Sequence, residues 1–176
     1  MKYVALLRGI NVGGKQKVEM KKLKALFESL GCVNVSTYIN SGNVLFESGE
    51  NRENLSKKFK ASLKKEFGFD IPILIKTKQE IKKIADAIPK AWQNNSEQRT
   101  DVAYLFKDID SSEILNILPI RKEFIEIKYV KGAIFWNLER KNLNKSRLNK
   151  IISHTSYQSM TVRNVNTARY LAGDDK

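Results

Sequence analysis

The sequence predicts an α+β protein of two tandem βαββαβ halves, residues 1–90 and 91–176, with mostly antiparallel sheets. Three observations predict it. Short apolar runs of strand length alternate with segments whose apolar residues recur every three or four positions. Turn-forming residues fall at the joints between them. The element order found up to Ile75 returns after Thr100, which implies an internal duplication. Gly42-Asn43-Val44-Leu45-Phe46 and Gly132-Ala133-Ile134-Phe135-Trp136 are the best-matching stretches of the two copies.

In the first half, residues 3–7 form a continuous apolar run and read as a buried strand. A glycine-rich loop follows over residues 9–15. Met20, Leu23, Leu26, Phe27 and Leu30 then recur at helical spacing, and Gly31 stands where a helix ends on a left-handed residue. Residues 33–39 and 44–47 read as strands joined by the tight turn Asn40-Ser41-Gly42-Asn43. Leu55, Phe59, Leu63 and Phe67 mark a second helix, rich in lysine elsewhere and closed by Gly68. Residues 71–75 are a strand whose Pro72 suits an edge or a first turn. Thr77-Lys78-Gln79-Glu80 fits a capping box and opens a helix bearing Ile81, Ile84, Ala85 and Ile88, stopped by Pro89. Residues 90–100, polar apart from Ala91 and Trp92, are the expected connection between halves.

The second half repeats the order. Residues 102–106 read as a strand. Asp110 or Ser111 is the expected cap of a helix carrying Ile114, Leu115 and Leu118, ended at Pro119. Ile125, Ile127 and Tyr129 alternate with Glu126 and Lys128, the pattern of a half-buried strand. Lys131-Gly132 turns into a strand over 133–138. Leu148, Ile151 and Ile152 mark a further helix, and residues 160–163 a last strand. Asn166 is the expected cap of a short helix through Leu171.

Composition narrows the function classes. Cys32 is the single cysteine, so an intramolecular disulfide is excluded and a small buried side chain is expected. His154 is the single histidine, expected to cap or to lie on the surface. One histidine and one cysteine do not make a typical zinc site, so neither metal nor cofactor is expected. No paired carboxylates stand out for acid–base work, so no catalytic residue is assigned and an enzymatic role stays open. The apolar run at the start is too short for a signal peptide or membrane span, and a cytoplasmic location is expected. Net charge is +13, with 18 Lys/Arg against 9 Asp/Glu in the first ninety residues. That bias favours anionic partners such as phosphate esters or nucleic acid.

Chain geometry points to a place for such a partner. A split βαβ unit sets its third strand between the first two, which then run parallel because the crossover helix returns the chain to its starting end. The loop leaving the first strand and the hairpin leaving the second therefore lie at one end of the sheet. Arg8, Asn11, Gly13, Gly14 and Lys15 come from the loop, and Asn40, Ser41 and Asn43 from the hairpin. Glycines let a ligand approach the backbone, asparagines supply uncharged donors and acceptors, and Arg8 offers a two-pronged donor for a phosphate or carboxylate. The helix beginning near Glu19 adds the positive end of its dipole. Arg163 and Asn164, where the last strand meets a helix, are a second candidate contact. This reading makes the chain a binder of a small anionic or nucleotide-like ligand. A nucleic-acid-binding module using the basic half is an alternative, with the lysine face of the 55–67 helix as its surface. A ligand-free interaction protein or homodimer is another, favoured if Trp92 or Trp136 lies on an exposed apolar patch.

Two motif matches are incomplete. Gly9, Gly14 and Lys15 have P-loop spacing, but Gln16 stands where magnesium needs a hydroxyl and the next strands form a hairpin. Residues 131–138 share Lys131, Gly132 and Phe135 with the RNA-recognition-motif signature, but Ala133 and Leu138 replace two of its aromatics. Tyr104 is the remaining candidate for one such ring.

Residues 6–15, Thr37-Tyr38-Ile39-Asn40-Ser41-Gly42-Asn43-Val44, and Thr161-Val162-Arg163-Asn164 with Thr167 resemble, in order and spacing, the bacterial family catalogued as domain of unknown function 1697. The resemblance spans nearly the whole chain. It implies a cytoplasmic bacterial protein with ferredoxin-like α+β subdomains, and no established activity, cofactor or catalytic residue. Val165 stands where the family commonly has tryptophan.

Overall fold

The computed structural model describes residues 1–173. They form two compact units, Met1–Lys78 and the chain from Gln79 onward.

The first unit runs β1 (Lys2–Leu7), α1 (Met20–Ser29), β2 (Val33–Tyr38), β3 (Asn43–Glu47), α2 (Arg52–Phe67) and β4 (Ile73–Thr77). Its sheet order is β2-β3-β1-β4, with every neighbouring pair antiparallel. This is the ferredoxin-like arrangement. β1 and β2 flank β3 and so run parallel to each other. Tyr3, Ala5 and Leu7 alternate onto the helix-covered face, while Val4 and Leu6 on the other face are also fully buried. Burial on both faces is why β1 reads as an unbroken apolar run.

The helices pack through aromatics. Phe59 of α2 stacks on Phe27 of α1 at 4.2 Å between ring centroids, and Phe46 of β3 meets Phe59 edge-on at 5.5 Å. Burying each such side chain contributes about 1.5–3 kcal/mol. Both helices end on a left-handed glycine. After α1, Gly31 N–H donates to Glu28 O and Cys32 N–H to Phe27 O, satisfying two terminal carbonyls. This places Cys32 in the core, where burial raises its pKa. α2 starts at Asn51, whose side chain accepts from Asn54 N–H at 3.0 Å.

The second unit runs α3 (Lys78–Asp86, its first residue closing the first unit), β5 (Gln98–Leu105), α4 (Ile114–Ile117), β6 (Glu126–Val130), β7 (Ala133–Glu139), β8 (Met160–Asn164) and α5 (Val165–Ala172). Its sheet order, β6-β7-β5-β8, repeats the first, again all antiparallel.

The helices of this unit depart from the sequence expectation. α4 is a single turn, because Leu118 must be extended ahead of Pro119. The helix expected around Leu148 is replaced by 3-10 turns over Arg140–Asn142, Leu148–Ser153 and Thr155–Ser159, with Arg147 left-handed at φ 57°. Asn142, Asn144, Ser146 and Asn149 are poor helix formers whose side chains compete for the backbone. The Ser146 hydroxyl donates to Leu143 O and accepts from Leu148 N–H. The cap of α5 is Asn164, not Asn166: its Oδ1 accepts from Thr167 N–H at 2.9 Å. His154 caps the last 3-10 turn, its Nδ1 accepting from Ser156 N–H. Among the described residues, no helix is long and apolar enough to cross a membrane.

Candidate functional site

The loop leaving β1 and the hairpin leaving β2 touch. Leu7 N–H donates to Gly42 O at 2.8 Å. Asn11 does more. Its Nδ2 donates to Asn40 O at 2.8 Å and to Val18 O at 2.9 Å, and its Oδ1 accepts from Val18 N–H at 2.8 Å. One side chain ties the loop, the hairpin and the approach to α1 together. The position needs both a donor and an acceptor, and it sits at φ 55°, which asparagine tolerates better than most residues. Gly42 is obligatory for a different reason. At φ 79° an added Cβ would lie 2.7 Å from Leu7 Cβ and from Ile10 Cδ1.

Beyond Asn11 the glycine-rich stretch folds on itself. Asn11 N–H donates to Gln16 O and Lys15 N–H to Val12 O, both at 3.1 Å. Gly13 and Gly14 take φ 59° and 74°, the two positive values a two-residue hairpin turn requires. The result is an exposed β-finger. A P-loop instead wraps phosphate and runs directly into its helix, so the Gly9, Gly14, Lys15 spacing carries no P-loop geometry.

Finger, hairpin and helix start enclose an open groove of about 500 Å³, lined by Asn11, Gly14, Lys17, Glu19 and Asn40 beside the first residues of α1. Glu19 holds the N-cap position with extended backbone and makes no side-chain cap bond. The leading N–H groups of α1 therefore lack a side-chain acceptor, and the positive end of its dipole stands at the groove. Lys17 adds a cation and Glu19 a carboxylate. Sequence reading missed both, because they sit in a polar stretch without periodicity. The only available signal is their place just ahead of the first helical turn.

The other expected residues are distributed as follows. Gly13 and Lys15 sit exposed at the finger. Arg8 is half-buried outside the groove lining, and its backbone N–H donates to Pro72 O at 2.9 Å. Asn43 is fully buried, and its Nδ2 donates to Tyr38 O and to Ser41 Oγ, so this pair clips the hairpin. Arg163 and Asn164 belong to the second unit. Arg163 is 8% exposed and donates to Thr161 Oγ1 at 2.9 Å and Val162 O at 2.8 Å. Burial pushes its pKa down to about 10, against the pull of Tyr104 and Tyr157. Asn164 serves as the α5 cap.

The alternative surfaces are weaker. On the lysine face of α2, Lys57 pairs with Glu53 at 2.9 Å, Lys58 with Glu50 at 2.7 Å and Lys64 with Asp70 at 3.0 Å, which offsets much of its charge. Tyr104, Phe135 and Trp136 are all buried, so β5 and β7 present no base-stacking platform. Trp92 is 7% exposed and edge-on to Phe135 at 5.9 Å, so neither tryptophan forms an exposed apolar patch.

Comparison with known proteins agrees with this architecture. The family model described as "Protein of unknown function (DUF1697)" matches residues 1–136. No curated protein matches the chain. A solved structure described as that of conserved bacterial protein SP0830 from Streptococcus pneumoniae is similar at a TM-score of 0.84 and 25% identity, covering 98% of this chain and 97% of that one.

Proposed function

Taking as premise that this chain belongs to the DUF1697 family of proteins of unknown function, we propose that it binds a small anionic or nucleotide-like ligand in the groove of its first unit. The observation that carries the reading is Asn11 binding Asn40 and Val18 at once, which joins three chain segments around one concavity. Unbonded N–H groups at the start of α1 and the Lys17 ammonium favour negative charge there. The exposed finger bearing Gly13 and Lys15 borders the same space. Glu19 sets a limit: a ligand must meet the helix end and Lys17 while leaving that carboxylate in water. Arg8, half-buried outside the groove lining, adds to the positive charge of this unit.

Thermal-shift screening with nucleotides and sugar phosphates tests this. A binder raises the wild-type melting temperature and shifts Lys17→Ala and Arg8→Ala less. If no compound stabilises wild type more than both variants, the groove is not an anion site.

A further inference from the structure

We infer that β6 is a dimerisation edge, at which two copies of this chain join strand to strand, antiparallel about a two-fold axis at Ile127. β6 is an outer strand of its sheet. It pairs with β7 in unbroken register from Glu126↔Asn137 to Val130↔Ala133, across the two-residue turn Lys131-Gly132. The pair flanking such a turn exchanges both backbone hydrogen bonds, and bonded pairs alternate from there along the strand. Glu126, Lys128 and Val130 therefore bond inward to β7, and Ile127 and Tyr129 turn their N–H and C=O outward. Among the described residues, no further backbone group bonds to these outward groups. A row of open donors and acceptors is a template for another strand. The other outer strands offer less. β4 and β8 are mostly buried, and β2 has a register shift between Val33 and Ser36 and no charged residue.

The side chains choose the partner. Ile127 and Tyr129 pack on the core side of the sheet, while Glu126 and Lys128 stand exposed on the other. Neither Glu126 nor Lys128 is in a salt bridge among the described residues. Lys128 Nζ instead lies 5.2 Å from the centre of the Trp92 ring, which steadies it beside the edge. Outward groups must meet outward groups, so a second, antiparallel β6 has few registers to choose from. An axis at Glu126 sets that carboxylate against its own copy, and an axis at Lys128 opposes two ammonium groups; like charges directly opposite destabilise. An axis at Tyr129 gives neither residue an opposite charge. An axis at Ile127 sets Glu126 of each copy against Lys128 of the other, with Ile127 meeting Ile127 and Ile125 meeting Tyr129 at the bonded positions. The edge is therefore complementary to itself, as a two-fold interface requires. A contact of this kind is small, so the dimer is reversible and depends on concentration. It uses no groove residue and stands or falls independently of the proposed anion site.

Sedimentation of the full-length chain over a range of concentrations tests this, with Glu126→Lys and Lys128→Glu as variants at exposed positions and circular dichroism to confirm their fold. Wild type is expected to dimerise as concentration rises, and amide exchange at Ile127 and Tyr129 is expected to slow in step. Each reversal makes both cross-strand pairs like-charged and is expected to weaken association about tenfold. Mixing the two variants in equal amounts is expected to restore a dimer, because one copy then carries two positive side chains and the other two negative ones. The double variant, E126K with K128E, is expected to dimerise like wild type. A wild type that stays monomeric up to about 1 mM overturns the proposal. So does a dimer that either reversal leaves intact, or a pair of single variants that fail to associate when mixed.

Discussion

The two units share a strand order and every strand pairing direction, yet they cover their sheets differently. In the first, the chain between β3 and β4 is the 16-residue α2, capped by Asn51, closed by Gly68 and locked through stacked Phe27 and Phe59. In the second, the corresponding chain between β7 and β8 is a series of 3-10 turns above a cavity. The sheet needs only an apolar alternation and a return to the starting end. The form of the cover follows local chemistry. Where asparagine and serine crowd the segment, their side chains compete for the backbone and regular helix gives way. The first unit's solution is tight around its stacked aromatics. The second leaves space and an unbonded indole.

Core truncation tests that contrast most strongly. Phe59→Ala in α2 should destabilise by about 3–5 kcal/mol, because a rigid stacked core closes poorly over the void. Leu148→Ala in the second unit should fall at the low end, about 2 kcal/mol, since its surroundings already border a cavity. Comparable losses in urea unfolding would break the distinction between covers.

Glycines sharpen it within the first unit. Gly42→Ala should lose about 3 kcal/mol, combining left-handed strain with the clash on Leu7 and Ile10. Gly13→Ala, with nothing within 4 Å of the added Cβ, should lose only about 1 kcal/mol. Equal midpoints for the two variants would show that the hairpin is looser than its contacts imply.

Cap removal should give similar values in both units. Asn51→Ala and Asn164→Ala each remove one side-chain acceptor at a helix start and should cost about 1 kcal/mol. A much larger loss at Asn164 than at Asn51 would assign it work beyond capping.

The smallest effect concerns pH. Burial alone would raise the Asp110 pKa, but the Gly132 N–H, the Lys131 ammonium and the Tyr129 hydroxyl outweigh it and hold the carboxyl below its usual value. A group with a depressed folded pKa stabilises above the ordinary carboxylate range, about pH 4, and loses that contribution as pH falls through the lowered value. Asp110→Asn should therefore flatten the acid limb of a stability–pH curve and leave its slope near neutrality unchanged. An unchanged acid limb would mean that this turn is not held by the charge.

Much of the fold is legible in the chain because strands and well-formed helices carry periodic signals. The continuous run of β1, the fourfold spacing of Leu55, Phe59 and Leu63, and the stops at Gly31 and Gly68 each express burial or backbone geometry directly. The juxtaposition of loop and hairpin also follows from topology, since parallel β1 and β2 must open at one end. The second unit is less legible. Leu148, Ile151 and Ile152 have helical spacing, but periodicity does not register the polar side chains that divert the backbone. Asn164 and Asn166 are both plausible caps by type, and only the place where β8 ends distinguishes them.

The amino-acid order by itself determined the duplicated βαββαβ pattern, the buried cysteine and the positions of the tight turns, because these depend on residues near one another in the chain. Tertiary structure alone decided that Asn43 clips a hairpin while Asn11 bridges three segments, that Lys17 and Glu19 border the groove, and that Trp136 stays without an acceptor. Those outcomes depend on which distant groups meet a given polar atom, and a polar side chain carries no mark of its future partner.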